Sequence, residues 1–141
     1  HMIGLLVMDQ FMPAPLAQIR ELVEDEGMEL LAAEEEILGF DHGKIGAILL
    51  KEWHIPEVIC DAVKFHLFPD MCPGDSRLAA TILIGDNITR ALGFGFAGDA
   101  YVIKIPPEAL TSLGLIPEAF EAILQPIDVA VDRAQIFMKM V

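Results

Sequence analysis

Apolar residues return at helical spacing along most of the chain, and no segment sustains a strict apolar–polar alternation. Leu16, Ile19, Leu22 and Val23 share one face of a first predicted helix. Pro15 suits its opening turn, where a missing N–H costs nothing. Gly27 is placed to end it, and a second helix is predicted from Met28 to Leu38, stopped by Gly39. Asp41 reads as the N-cap of a third helix that reaches Trp53 and carries His42, Ile45, Gly46 and Leu49 along one stripe. Pro56 opens a fourth, whose face holds Ile59, Ala62, Val63 and His66.

Phe68 to Asp75 reads as a loop, and a long helix is predicted from about Ser76 to Leu92 with Ala79, Ile82, Leu83 and Asp86 aligned. The stretch Phe94 to Gly98 is too rich in glycine for helix and lacks the strand and Lys-Ser/Thr of a phosphate loop, so it reads as a flexible connection. A short helical piece from Ala109 to Leu113 and a final helix from about Pro117, kinked at Pro126, complete the pattern. The predicted fold class is all-α, a single-domain helical bundle.

Composition narrows the function classes. Of 141 residues, 54% are hydrophobic and mean hydropathy is +0.50, far above that of a disordered tail. The longest apolar stretches, Ile45 to Leu50 and Leu78 to Gly85, fall well short of the ~20 residues that cross a bilayer. The surplus therefore belongs in a core or partly in a partner interface, a homo-oligomer contact included. The net charge of −13 repels phosphate backbones and anionic lipid, so neither nucleic acid nor membrane is an expected partner.

Much of the acid lies between Glu21 and Asp41, including Glu34-Glu35-Glu36, and reads as a solvated helix face. A docking surface for a basic partner is the sharper alternative. Cys60 and Cys72 have neither zinc-site nor disulfide-framework spacing. No secretory signal pattern opens the chain, so the cytoplasm is the expected compartment. His1-Met2 reads as a cloning remnant, and 3–141 as the domain proper. Trp53 reads as a core anchor, His54 as exposed, and the seven methionines, Met138 and Met140 among them, as gap-fillers.

The ionisable residues on apolar faces are the candidate chemistry. His42, His66 and Asp86 lie on core-facing stripes of three different helices. A buried carboxylate needs a partner, so Asp86 is expected to have one. Converging, the three could make a metal site or a hydrogen-bonded triad. Taken singly, each reads as a satisfied structural residue rather than a ligand.

The segment Glu34 to Leu50, with Leu38-Gly39-Phe40-Asp41-His42 inside it, resembles a signature of the HD-related output domain (HDOD) family. Trp53-His54-Ile55-Pro56, Ala62 to His66, Leu78 to Gly93 and Ala109 to Leu115 are similar to that family's later elements, in the same order. The Gly85-Asp86 helix also resembles a metal-ligand helix of the HD-GYP phosphodiesterases. The resemblance implies a bundle of the HD-domain type, and in catalytic relatives the positions of His42, His66 and Asp86 supply metal ligands.

Those relatives carry their defining His-Asp pair upstream, where Gly4-Leu5-Leu6-Val7-Met8-Asp9-Gln10 places Val7 and Met8. Neither side chain replaces a carboxylate that bridges metals. Asp9 is one residue on, about 100° around a helix, and is a poor substitute. Leu67 stands where such sequences often carry a further His. The resemblance therefore implies a non-catalytic domain of bacterial signal transduction, acting through a protein partner and needing no cofactor. His42, His66 and Asp86 would be vestigial, forming a fossil hydrogen-bond network, a weak divalent-metal site or a ligand pocket. A residual metal-dependent phosphohydrolase and a small-molecule or nucleotide sensor are the alternatives. The family's N-terminal helical half is expected to be missing, which would leave an apolar face for self-association.

Overall fold

The computed structural model describes residues 1–94, 98, 99, 101–116, 119, 122, 126, 127 and 129–131. Helices α1 (Ile3–Phe11), α2 (Pro13–Asp25), α3 (Leu30–Leu38), α4 (His42–Glu52), α5 (Glu57–Lys64), α6 (Arg77–Ala91) and α7 (Pro107–Ser112) are joined by short turns, with a 3-10 turn at Pro69–Met71. Among the described residues there is no strand, so the chain is all-α. None of its described helices is long and apolar enough to cross a membrane. The expected kink at Pro126, most of the Phe94–Gly98 connection, and Met138 and Met140 lie outside what the described residues cover.

Local chemistry sets the helix ends. Asp41 is the N-cap of α4 as its sequence position predicts, its side chain accepting from the Lys44 N–H at 2.9 Å. Gly39 ends α3 at φ 74°, where its N–H bonds to the Glu35 carbonyl at 2.9 Å. Helix α1 was not legible as a separate element. It stops at Met12 because Pro13 begins α2 immediately after.

Met8, Leu16, Ile19, Leu30 and Ala33 form the buried centre of the α1–α2–α3 layer. Burying each large apolar side chain contributes about 1.5–3 kcal/mol. The second layer depends on missing side chains: a Cβ on Gly4 would stand 1.9 Å from the His42 carbonyl oxygen. Gly46 faces Ile3 and Val63 across α4, where an added Cβ would meet them at 3.0 and 3.1 Å. Helix α1 thus lies directly against the first turns of α4, with α5 on the other side. Helix α6 buries Ala79, Ala80, Leu83, Ile84 and Ile88 and carries Asp86 and Asn87 into the same interior.

Three expectations fail. Trp53 is not a core anchor: it follows the last turn of α4 and is 57% exposed. Ile59 faces outward, and Cys60 takes the buried place beside Ala62 and Val63. Glu34 leaves the solvated acidic run altogether and is fully buried. His54 is exposed as expected, and takes φ 58° in the turn after α4.

Candidate functional site

The site is built on the tight Gly39-Phe40-Asp41 turn, which folds the end of α3 back onto the start of α4. That turn brings Glu34 to His42, both buried. The Glu34 carboxylate accepts from the His42 backbone N–H at 3.0 Å and lies 2.8 Å from ring Nδ1. One side chain therefore satisfies an orphan donor of the helix N-terminus and places negative charge at its positive end. An ionised carboxylate can only accept, so Nδ1 is the donor of this bond. Ring Nε2 is buried without a hydrogen-bond partner among the described residues.

His66 packs beside it, the ring centroids 5.2 Å apart and tilted by 57°. Its Nδ1 donates to the Val63 carbonyl at 2.7 Å, so the neutral ring carries its lone pair on Nε2. His66 is 1% exposed, and burial pushes its pKa down to about 4. The Val63 carbonyl and the Asp86 charge oppose that shift, whereas His42 adds to it.

Asp86 has its expected partner, and more than one. Its Oδ2 accepts from Arg90 Nε at 2.7 Å, and its Oδ1 lies 3.3 Å from Nε2 of His1. The His1 ring stands 5.0 Å from that of His66. The expected cloning remnant therefore sits between His66 and Asp86. Arg90 continues the chain of charges to Asp99 and donates to the Tyr101 carbonyl at 3.1 Å. Asp99 in turn accepts from the Leu30 N–H at 2.8 Å, tying the segment after α6 to the start of α3.

Of the three candidates, His42 and His66 are brought together, while Asp86 faces Arg90 and His1. The upstream pair is placed as clearly: Met8 is fully buried in the α1–α2–α3 core, and Val7 is half-buried beside it. Asp9 is exposed and pairs with Arg20 at 3.2 Å. Leu67 is buried.

A hydrolytic metal centre needs a nearly complete ligand set around its ion. Two imidazole nitrogens suit a metal. The carboxylate is neutralised by a guanidinium, and Val7 and Met8 supply no donor. Among the described residues no group of three or more His, Cys, Asp or Glu side chains is arranged to hold a metal ion. The residues do not fit a binuclear hydrolytic centre.

Glu34, Arg90 and Asp99 were missed by the sequence reading. Glu34 opens the very segment that resembles the family signature, eight residues before His42, and Arg90 lies four residues after Asp86, the spacing of an intrahelical ion pair.

A search among curated proteins and a search among solved structures each returned no match. Residues 1–69 match the family model described as HDOD domain, a span that holds Glu34, Asp41, His42 and His66 and ends before Asp86. Over residues 1–69, from α1 to the turn that follows α5, the chain is similar to the HDOD domain family.

Proposed function

We propose that this chain is a non-catalytic regulatory domain of bacterial signal transduction that acts by contact with a protein partner. The family points to an HD-related signalling domain. The observation that carries the finer reading is the burial of Met8 at one position of the catalytic pair. A core residue held on three sides by α1, α2 and α3 contributes to packing and leaves nothing there to bridge cations. Arg90 supports the same reading by neutralising Asp86.

The test is activity and metal content together. Protein purified without chelator is expected to hold less than about one-tenth equivalent of transition metal and to leave cyclic dinucleotides and nucleotide phosphoesters intact with Mn²⁺, Fe²⁺ or Mg²⁺ added. Turnover that requires metal and is lost in His66→Ala would overturn the proposal.

One observation favours the residual phosphohydrolase as a second reading. Glu34 holds His42 by Nδ1 and leaves Nε2 buried and, among the described residues, unpartnered, as an outer carboxylate does for a metal-bound imidazole. Stoichiometric metal uptake, with an affinity that drops in Glu34→Gln, would establish it.

A further inference from the structure

The segment that follows α6 returns across the bundle as Tyr101-Val102-Ile103-Lys104-Ile105-Pro106, with no helix or turn. Two of its backbone groups are fastened to α6. The Tyr101 carbonyl accepts from Arg90 at 3.1 Å, and the Ile103 N–H donates to Asn87 Oδ1 at 2.7 Å. In an extended chain the backbone groups of successive residues point to opposite sides. If residues 101 and 103 face α6, the N–H and C=O of Val102 and Lys104 face away from it. Among the described residues these groups take no hydrogen bond. The run of Tyr, Val, Ile and Ile is rich in residues that suit a strand.

A groove of about 460 Å³ runs along this segment. Leu31, Leu67, Phe68 and Val102 supply its apolar lining. Leu67 is buried, whereas Phe68 and Val102 stand open to solvent. Glu29 and Asp70, both exposed, add negative charge, and Lys104 adds one positive charge. Asp99 is already committed to Arg90 and Leu30. The balance is acidic, within a chain of net charge −13.

We infer that this groove takes an extended, basic peptide segment of a protein partner, which pairs its backbone with Val102 and Lys104. An apolar side chain would enter between Phe68 and Val102, and Lys or Arg would lie toward Glu29 and Asp70. Strand addition draws affinity from main-chain bonds and specificity from side-chain pockets; the backbone of Val102 and Lys104 offers the first and the groove beside it the second. The inference rests on the partner-binding reading proposed above and deepens it by naming the surface and the chemistry of the partner.

The probe is a phage-displayed library of random peptides of about twelve residues, selected on the whole chain, with selected peptides then titrated by fluorescence anisotropy. Expected is a consensus of one apolar residue with Lys or Arg at alternating positions. Binding should weaken as salt rises. Phe68→Ala should weaken it roughly tenfold or more.

Lys104→Pro, which removes the N–H and keeps an extended backbone, should do the same, whereas Lys104→Ala should not. Far-ultraviolet circular dichroism checks that each variant stays folded, and Phe68→Ala remains decisive if Lys104→Pro does not. Absence of any consensus, or an acidic one, would overturn the inference. Peptides that bind equally well to Phe68→Ala and Lys104→Pro would place recognition elsewhere, which sinks the groove while leaving the partner-binding reading standing.

Discussion

Glu34 and His42 are joined twice, once through the backbone N–H of His42 at 3.0 Å and once through ring Nδ1 at 2.8 Å. Both bonds end on one fully buried carboxylate, so the pair fixes the angle between α3 and α4. Breaking a buried pair by deleting one partner is costly because the other is left without a mate. Glu34→Ala is expected to destabilise the fold by about 3–5 kcal/mol in urea unfolding at neutral pH. Glu34→Gln keeps one acceptor and should cost less, about 1–3 kcal/mol. An unchanged unfolding midpoint in Glu34→Ala would show that the pair holds nothing in place.

His66 gives the fold a defined acid sensitivity. Its pKa is about 4 when folded, against about 6.5 when unfolded. The unfolded chain therefore binds the proton more readily between those values, and stability must rise with pH across that window. Its contribution is fully present above about pH 6.5 and is lost as pH falls toward 4, up to about 3 kcal/mol for the whole shift. Other groups titrate over the same range, so the informative quantity is a difference. Native chain and His66→Gln should differ in stability by an amount that shrinks on acidification from pH 7 to pH 4.5. A difference constant over that range would remove His66 as the sensor.

Much of this fold was legible because caps and stops are local. Asp41, Gly39 and Gly27 announced the ends of α2, α3 and α4 without knowledge of what packs against them. The failures share a different physics. Trp53 and Glu34 were assigned by residue type, yet their burial is decided by neighbours distant in sequence or by a turn whose angle sequence does not encode.

Trp53 lies just past α4 with no helix over it among the described residues, while Glu34 is drawn inside by the donors of His42. The site was half legible for the same reason. Helical spacing marks His42, His66 and Asp86, but the fate of Asp86 depends on Arg90, one helical turn further along α6, whose rotamer the spacing does not set.

Two glycines with opposite surroundings separate packing from propensity. A Cβ on Gly4 would collide with the His42 backbone at 1.9 Å, and backbone on both sides leaves nothing flexible to yield. Gly4→Ala is expected to cost about 1–3 kcal/mol or more through overpacking. Gly85 sits inside α6, exposed, with nothing within 4 Å of the added atom. Gly85→Ala should stabilise by about 0.5–1 kcal/mol, since alanine loses less freedom in a helix. Thermal or chemical unfolding of the two variants side by side decides the matter, and a tolerated Gly4→Ala would mean that α1 can slide on α4.

Met8 offers the sharpest test of whether catalysis could be restored by restoring a residue. The family resemblance places Met8 and Val7 where hydrolytic relatives carry a ligand pair, so Met8→Asp looks on paper like a repair. The structure argues otherwise. Met8 is fully buried against Leu16, Ile19, Leu30 and Ala33, with no cation among them. A carboxylate there would lose its water without gaining a partner, and would be held neutral or expel the helix. Met8→Asp is therefore expected to destabilise the fold by at least about 3 kcal/mol and to gain no stability from added Mn²⁺ or Fe²⁺. A folded Met8→Asp protein whose melting temperature climbs with either metal would show that the core had merely covered a site still able to assemble.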